Sequence, residues 1–205
     1  SYLAAVLPVG QVLALALRGQ LLSSLAVVAA VRREAAAAAV RDELTGLVNR
    51  RGLALVGPQI VEAARRRGDA AHCLFLDVDG FQRVNRELSV EVGDEVLIGV
   101  AEALRSATRA TDVVARCGGD EFCVVGPGTG VPPSEIERRV RDRLASQPPV
   151  SASGWEPRVS AGAAVLTPWD AGDLDTLLSK AEQEMHLRRS VRRQNGAPAR
   201  EVSRD

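Results

Sequence analysis

Aromatic residues make up only 3% of this 205-residue chain, so aliphatic side chains and alanine must fill its core. Cysteine is scarce. Cys73, Cys117 and Cys123 form an odd set without C-x-x-C spacing. They read as buried, reduced thiols of a cytosolic domain, not as a disulfide framework or zinc site. Charge of one sign is not in excess: 26 basic residues balance 26 acidic ones. That balance excludes a broad nucleic-acid or acidic-membrane surface. No internal repeat is present. What remains is an ordinary globular composition, long enough for one domain of about 150 residues plus an extra segment.

No uninterrupted apolar run reaches the roughly 20 residues of a spanning helix. Ser1 to Leu17 carries no charge, Arg18-Gly19-Gln20 interrupts, and Leu21 to Val31 is again uncharged. Arg32-Arg33 follow, as on the cytoplasmic side of a membrane segment. Residues 1–31 therefore read in two ways. One is the truncated end of a membrane region, with Arg18-Gly19-Gln20 as an outside loop and attachment to a bacterial inner membrane. The other is a pair of apolar helices that pack on each other or on a partner. The start at Ser1, inside an apolar run, suggests missing upstream sequence. A cleaved signal peptide is not indicated, because no basic start precedes the run. Residues 32–41 are alanine-rich and predict a helical linker.

From Asp42 onward helical and strand patterns alternate. Leu53 to Arg67 predicts a helix with Pro58 as an irregularity. His72 to Asp79 predicts a buried strand that ends in acid. Val92 to Ser106 predicts a helix with Val92, Val96, Leu97, Val100 and Leu104 on one face. Val113-Val114-Ala115 and Phe122-Cys123-Val124-Val125 predict a hairpin with Gly118-Gly119 at its tip, in the positive φ that tight turns demand. Ser134 is the expected cap of a helix bearing Ile136, Val140 and Leu144, and Asp173 that of the last helix. Arg158 to Val165 predicts a strand between them. The order suits an α+β domain with one central, mostly antiparallel sheet flanked by helices. Residues 194–205 are expected to be a disordered tail.

Two acidic strand ends carry the chemistry. Asp77 and Asp79 close one strand, and Asp120 and Glu121 sit at the hairpin tip. If the strands are neighbours, the carboxylates converge. Hard oxygen ligands without histidine or cysteine select Mg²⁺ or Mn²⁺, which carboxylates typically hold together with substrate phosphates.

Gly118-Gly119-Asp120-Glu121-Phe122 spells the signature of the GGDEF family, the diguanylate cyclases. Other motifs accompany it in order. Residues Asp42 to Arg51 (DELTGLVNRR) resemble the family's opening motif, and Leu76-Asp77-Val78-Asp79-Gly80-Phe81 its metal strand. Asn85, Gly93 and Asp94 fall where the family keeps base-recognition residues. Arg109-Ala110-Thr111-Asp112 is similar to its inhibitory-site motif, and Val159-Ser160-Ala161-Gly162 to a late strand. The resemblance spans about residues 42–193. It implies a nucleotidyl-cyclase palm of ferredoxin-like type in the cytoplasm, condensing two GTP into cyclic di-GMP with release of two pyrophosphates.

The resemblance also implies roles. Asp77, Asp120 and the Val78 carbonyl would hold Mg²⁺ or Mn²⁺. Glu121 would help bind the metal or assist deprotonation of the ribose 3′-hydroxyl. Gly118 and Gly119 would leave room for phosphates. Asn85 and Asp94, beside Phe81, would read guanine, whose N1–H and N2–H₂ donors suit a carboxylate. Arg189 and Arg193 would grip the triphosphate, and Arg109 and Asp112 would bind the product as an inhibitor. Each GTP must offer its 3′-hydroxyl to the other, so a homodimer is implied.

Some positions depart from the family. Gln82 stands where lysine is usual, Ser89-Val90 where Gly-His is, and Arg192 where glycine ends the helix. They keep an alternative open: a weak or inactive module that binds GTP or cyclic di-GMP as a signalling domain. A cyclase acting on ATP is a third reading.

Overall fold

The computed structural model describes residues 39–146 and 158–196, together with Arg18, Gln20 and Leu22. The chain divides into two compact units, Ser1–Ala39 and Val40–Asp205. In the first, Arg18, Gln20 and Leu22 are helical and exposed. Arg18 and Gln20 thus belong to a helix and not to the expected loop, in keeping with the good helix propensity of both residue types. The apolar runs within 1–31, linker residues 32–38 and the tail beyond Gly196 lie outside the described residues. Among the described residues no helix is long and apolar enough to cross a membrane.

The second unit is built on a mixed five-stranded sheet. Its elements are β1 (Val48–Asn49), α1 (Arg50–Arg66), β2 (Ala71–Val78), α2 (Phe81–Glu87), α3 (Val90–Ala107), β3 (Val113–Arg116), β4 (Glu121–Pro127), α4 (Pro133–Ala145), β5 (Val159–Leu166) and α5 (Leu174–Gly196). The strand order is β1-β3-β4-β2-β5. Only β1 and β3 run parallel; the other pairs are antiparallel, as expected of the domain.

β2 is an interior strand between β4 and β5, and it is apolar on both faces because both are covered. Leu74, Leu76 and Val78 join a core with Val96, Leu97, Val100 and Leu104 of α3 and Ile136, Val140 and Leu144 of α4. Ala71, Cys73 and Phe75 face Leu53 and Val61 of α1 and Leu174, Leu177, Ala181 and Met185 of α5. Each fully buried leucine or valine contributes about 1.5–3 kcal/mol by leaving water. The helical stripes read from the sequence are these buried faces.

Several boundaries differ from the sequence reading. α1 begins at Arg50 because the Asn49 side chain accepts from the Gly52 N–H at 2.9 Å. Pro58 sits inside this helix without ending it. The helical linker does not extend to Arg41. Ala39 and Val40 form a turn and Arg41 bridges to Val48. The Asn49 amides hold the Val40 and Arg41 carbonyls at 3.0 Å, so those carbonyls are taken by the sheet edge. α2 was not anticipated: it is seven residues long and buries only Val84. It starts after Gly80, whose φ of 75° lies in the left-handed region that glycine tolerates. Ser89 caps α3 through the Val92 N–H at 3.2 Å. α4 starts at Pro133 without a side-chain cap, so Ser134 is not its cap; proline at the first position lacks the N–H that would need one. Asp173 caps α5 as expected, through the Thr176 N–H at 2.9 Å. α5 continues to Gly196, so the expected tail is helical over its first residues.

Candidate active site

The functional positions gather at one end of the sheet. In the register, Asp77 lies opposite Glu121 on one side and Ser160 on the other. The Val78 N–H donates to the Asp120 carbonyl at 3.1 Å, and the Asp79 N–H to the Arg158 carbonyl at 2.9 Å. The end of β2 is therefore held rigidly between the hairpin and β5. The Val78 side chain is buried, so it could reach a ligand only through its backbone.

Burial pushes the Asp77 carboxyl up to about 6, Arg189 opposes this, and the charges of Asp120 and Asp79 add to it. Arg189 bridges the two aspartates of the strand end. Its Nη1 lies 2.7 Å from Asp77 Oδ1 and its Nη2 2.8 Å from Asp79 Oδ1. Asp79 also accepts from the Ser160 hydroxyl at 2.9 and 3.0 Å. Arg192 was expected only as a departure from a helix-ending glycine. It donates to the Val159 carbonyl at 3.1 Å and pairs with the buried Glu137 at 2.8 Å. Arg189, Arg192 and Arg193 line a cavity of about 340 Å³ with Asp79, Gly80, Arg158 and Ser160.

The expected convergence of carboxylates is only partly realised. Among the described residues, no three His, Cys, Asp or Glu side chains stand together as a metal ligand set. The reason is local. Asp77 feels Asp120 and Asp79, whereas the Glu121 carboxylate leans back over Gly118, its Cδ 3.1 Å from where a Cβ would stand. Arg189 meanwhile supplies the positive charge that Asp77 and Asp79 require. The donors remain hard oxygens of the kind that suit Mg²⁺ or Mn²⁺.

The hairpin tip corrects a second expectation. Neither Gly118 nor Gly119 has positive φ. The turn is closed by the Cys117 and Gly118 N–H groups, both donating to the Glu121 carbonyl at 2.8 and 3.3 Å. At Gly118 a Cβ would meet the Glu121 carboxylate, so any other residue there must push that side chain aside. At Gly119 a Cβ would meet nothing within 4 Å, so the tip faces open space.

Arg116 ends β3, just before this motif. It clamps the tip, donating to the Gly119 carbonyl at 2.7 Å and to both Asp42 oxygens at 3.1 and 3.2 Å. Burial raises the Asp42 carboxyl, but hydrogen bonds from Thr45 and Arg116 outweigh it and hold Asp42 below its usual value. The 74 residues between Arg116 and Asp42 hide this pair from a linear reading. Cys117 also has a neighbour the spacing did not suggest: its Sγ lies 3.0 Å from that of Cys123. That contact lowers the Cys117 pKa, and burial pushes the Cys123 thiol well up.

Asn85 and Asp94 lie on α2 and α3. Asn85 Oδ1 is buried and has no hydrogen-bond partner among the described residues. It packs over Gly93, where any Cβ would collide with it and stand 3.3 Å from Phe81 Cζ. Ser89 caps α3, so Asn85 and Asp94 do not serve that purpose. A buried, unpaired amide oxygen suits a ligand donor better than a structural role. Gln82, the departure from lysine, is exposed on α2.

Arg109 and Asp112 are joined by backbone. The Arg109 N–H donates to Asp112 Oδ2 at 2.9 Å, and the Asp112 N–H to the Arg109 carbonyl at 3.0 Å. Among the described residues no carboxylate pairs with the exposed Arg109 guanidinium, so this is not an ordinary surface ion pair.

The chain was compared with known proteins. Residues 39–195 match the family described as diguanylate cyclase, GGDEF domain. The chain is 36% identical over 156 residues to the cyclic di-GMP phosphodiesterase NbdA of Pseudomonas aeruginosa, covering 75% of this chain and 20% of that protein. It is 34% identical over 152 residues to the response regulator PleD of Caulobacter vibrioides, covering 72% and 33%. The chain thus spans a third or less of the length of these relatives. A crystal structure of a sensory box/GGDEF family protein from Caulobacter crescentus superposes with a TM-score of 0.63 at 28% identity, covering 74% of this chain and 99% of that one.

Proposed function

The chain belongs to the diguanylate cyclase GGDEF-domain family, and from that premise we propose that it condenses two GTP into cyclic di-GMP and two pyrophosphates, using Mg²⁺ or Mn²⁺ and two copies of the domain. The observation that carries this reading is the register that sets Asp77 opposite Glu121 at a sheet end, next to the hairpin whose Gly119 faces open space.

Asp77, Asp120 and the Val78 carbonyl would hold the metal, which supplies charge stabilisation at the reacting phosphates. Arg189 must then yield Asp77 and turn toward phosphate. It already lines the cavity that Arg192 and Arg193 make basic, where the missing lysine charge at Gln82 would be replaced. The Glu121 carboxylate, close to Gly118, would accept the proton of the ribose 3′-hydroxyl. Gly118 and Gly119 leave the backbone bare for phosphate. Asn85 Oδ1 accepts from guanine and Asp94 holds its N1–H and N2–H₂ donors; adenine cannot offer that pattern. Arg109 and Asp112 would bind the product and restrain turnover. One chain carries one hairpin and one acidic strand end, so the two GTP molecules require two chains face to face.

The ion pairs of Arg189 favour a second reading. A domain in which they persist would bind GTP or cyclic di-GMP without turnover. Incubation with GTP and Mg²⁺, followed by chromatography, separates the two. Cyclic di-GMP that disappears in Asp120→Ala is the expected result. Bound GTP without product would leave only the binding module. Offering ATP alongside GTP checks the base specificity.

A further inference from the structure

Three thiols line up on the face of the sheet that α1 and α5 cover. Cys123 of β4 lies diagonally across from Cys73 of β2, which pairs with Val125, and diagonally across from Cys117 at the end of β3. All three are free. Cys117 and Cys123 are the close pair, with Sγ atoms 3.0 Å apart. That is inside the roughly 3.5–4.0 Å of ordinary nonbonded contacts. Cys117 is partly exposed, Cys123 is buried, and both residues line a cavity of about 220 Å³ together with Arg50, Phe75, Glu121 and Glu182. A small oxidant therefore has a route to the pair, and a cation stands beside it.

We infer that Cys117 and Cys123 are a redox modification site, which peroxide closes into a reversible disulfide across the signature hairpin. The Cys117 thiolate attacks one peroxide oxygen, the O–O bond breaks, and the other oxygen leaves as water after taking a proton. The sulfenic acid so formed at Cys117 is attacked by the Cys123 sulfur. The S–O bond breaks, and hydroxide leaves with the Cys123 proton as a second water. Two thiols lose two electrons and the peroxide gains them. The sulfurs must approach by about 1 Å to reach a disulfide bond length. That movement is taken up at the hairpin end, where the turn is closed by two N–H groups on the Glu121 carbonyl.

The link rests on this geometry alone; its consequence for turnover rests on the proposed cyclase reaction. Glu121 lies between the two cysteines in sequence and its carbonyl closes the turn with the Cys117 N–H. Drawing the sulfurs together re-aims that residue and slows the enzyme.

The test is mass spectrometry of the full chain after hydrogen peroxide and thiol alkylation. The expected result is loss of two hydrogens in the tryptic peptide that begins at Cys117 and contains Cys123, reversed by dithiothreitol. Cys117→Ser and Cys123→Ser should each abolish it, and Cys73→Ser should leave it intact. Three alkylated thiols after peroxide, a Cys73–Cys123 link, or irreversible sulfinic acid at Cys117 would overturn the inference. Turnover measured on the same samples keeps the two proposals apart. A reversible link in a protein that makes no cyclic di-GMP supports this site and refutes the activity. Product from a protein that never forms the link does the opposite.

Discussion

Arg189 Nη1 lies 2.7 Å from Asp77 Oδ1, joining α5 to β2 across 112 residues of sequence. Both side chains are largely removed from solvent, at 21% and 16% exposure. The guanidinium holds the place of positive charge that a divalent ion would take. Removing it leaves Asp77 and Asp79 facing each other in a half-buried setting, where an uncompensated charge is costly. Arg189→Ala should therefore lower stability by about 1–3 kcal/mol in the presence of chelator, allowing for partial exposure. At about 2–4 °C per kcal/mol, the melting shift is readily seen. Millimolar Mn²⁺ should restore more of it in the variant than it adds to the parent protein. Equal responses to Mn²⁺ would show that Arg189 and the metal do not compete for Asp77.

Asn85 and Gly93 make a second pair whose test separates binding from folding. Gly93→Ala gains up to about 1 kcal/mol of helix propensity but drives a methyl group into Asn85 Oδ1. Stability should change by less than about 1 kcal/mol, while GTP affinity falls about tenfold or more, worth at least about 1.4 kcal/mol. Asn85→Ala should weaken GTP by about 1–2 kcal/mol, the loss of one buried hydrogen bond. Calorimetric titration with GTP measures both. Unchanged affinity in both variants would remove Asn85 from the base site.

At the hairpin, the two glycines should behave differently. Gly119→Ala adds a methyl group that meets nothing, at a residue without positive φ. Its stability should stay within about 0.5 kcal/mol of the parent, as for an uninvolved surface change. Turnover should fall steeply, because the methyl group fills space meant for phosphate. Gly118→Ala should also lose turnover, but through Glu121, whose side chain its Cβ displaces, and with only a small change in stability because that side chain is flexible. Full activity in Gly119→Ala would mean that the tip does not approach the substrate.

His72 is 3% exposed, and burial holds its pKa below the usual 6.5, against the opposing charge of Asp112 and together with that of Arg109. The buried imidazole is thus favoured in its neutral form. A depressed folded pKa contributes stability that is complete above the unfolded value near 6.5 and lost as pH falls below it toward the folded value. Between pH 7.5 and 5 this decline runs against the gain from Asp77, whose raised carboxyl takes up a proton in the folded protein, so it is read as the difference between denaturant melts of the parent and of His72→Phe. Relative to pH 7.5, His72→Phe should lose less stability by pH 5 than the parent does, or gain more, even if the variant is less stable throughout. An identical slope in the variant would assign the decline to other groups.

Much of the candidate site was legible from residues alone. The strand that carries Asp77, the Gly-Gly hairpin and the buried stripes of α3, α4 and α5 were all readable, because period and turn chemistry are local signals. The short α2 was not, since two turns with a single buried valine leave no stripe. The tip geometry was also misread: closing the turn on the Glu121 carbonyl removes the need for positive φ, and glycine is kept there for room. The Arg116–Asp42 clamp and the contact of Cys117 with Cys123 had no spacing signature. One spans 74 residues, and the other depends on which diagonal the hairpin register selects.

By itself the sequence determined the fold class, the order of its elements and the identity of the acidic and glycine positions. These follow from side-chain periodicity and from backbone preferences within a few residues. Only the tertiary structure decided which charges meet. Arg189 lies on Asp77 and Asp79 and not free for phosphate, Glu121 leans over Gly118, and Asn85 Oδ1 is left without a partner over Gly93. The physical reason is that ion pairing and burial depend on distances between elements far apart in the chain, which packing sets and periodicity does not record.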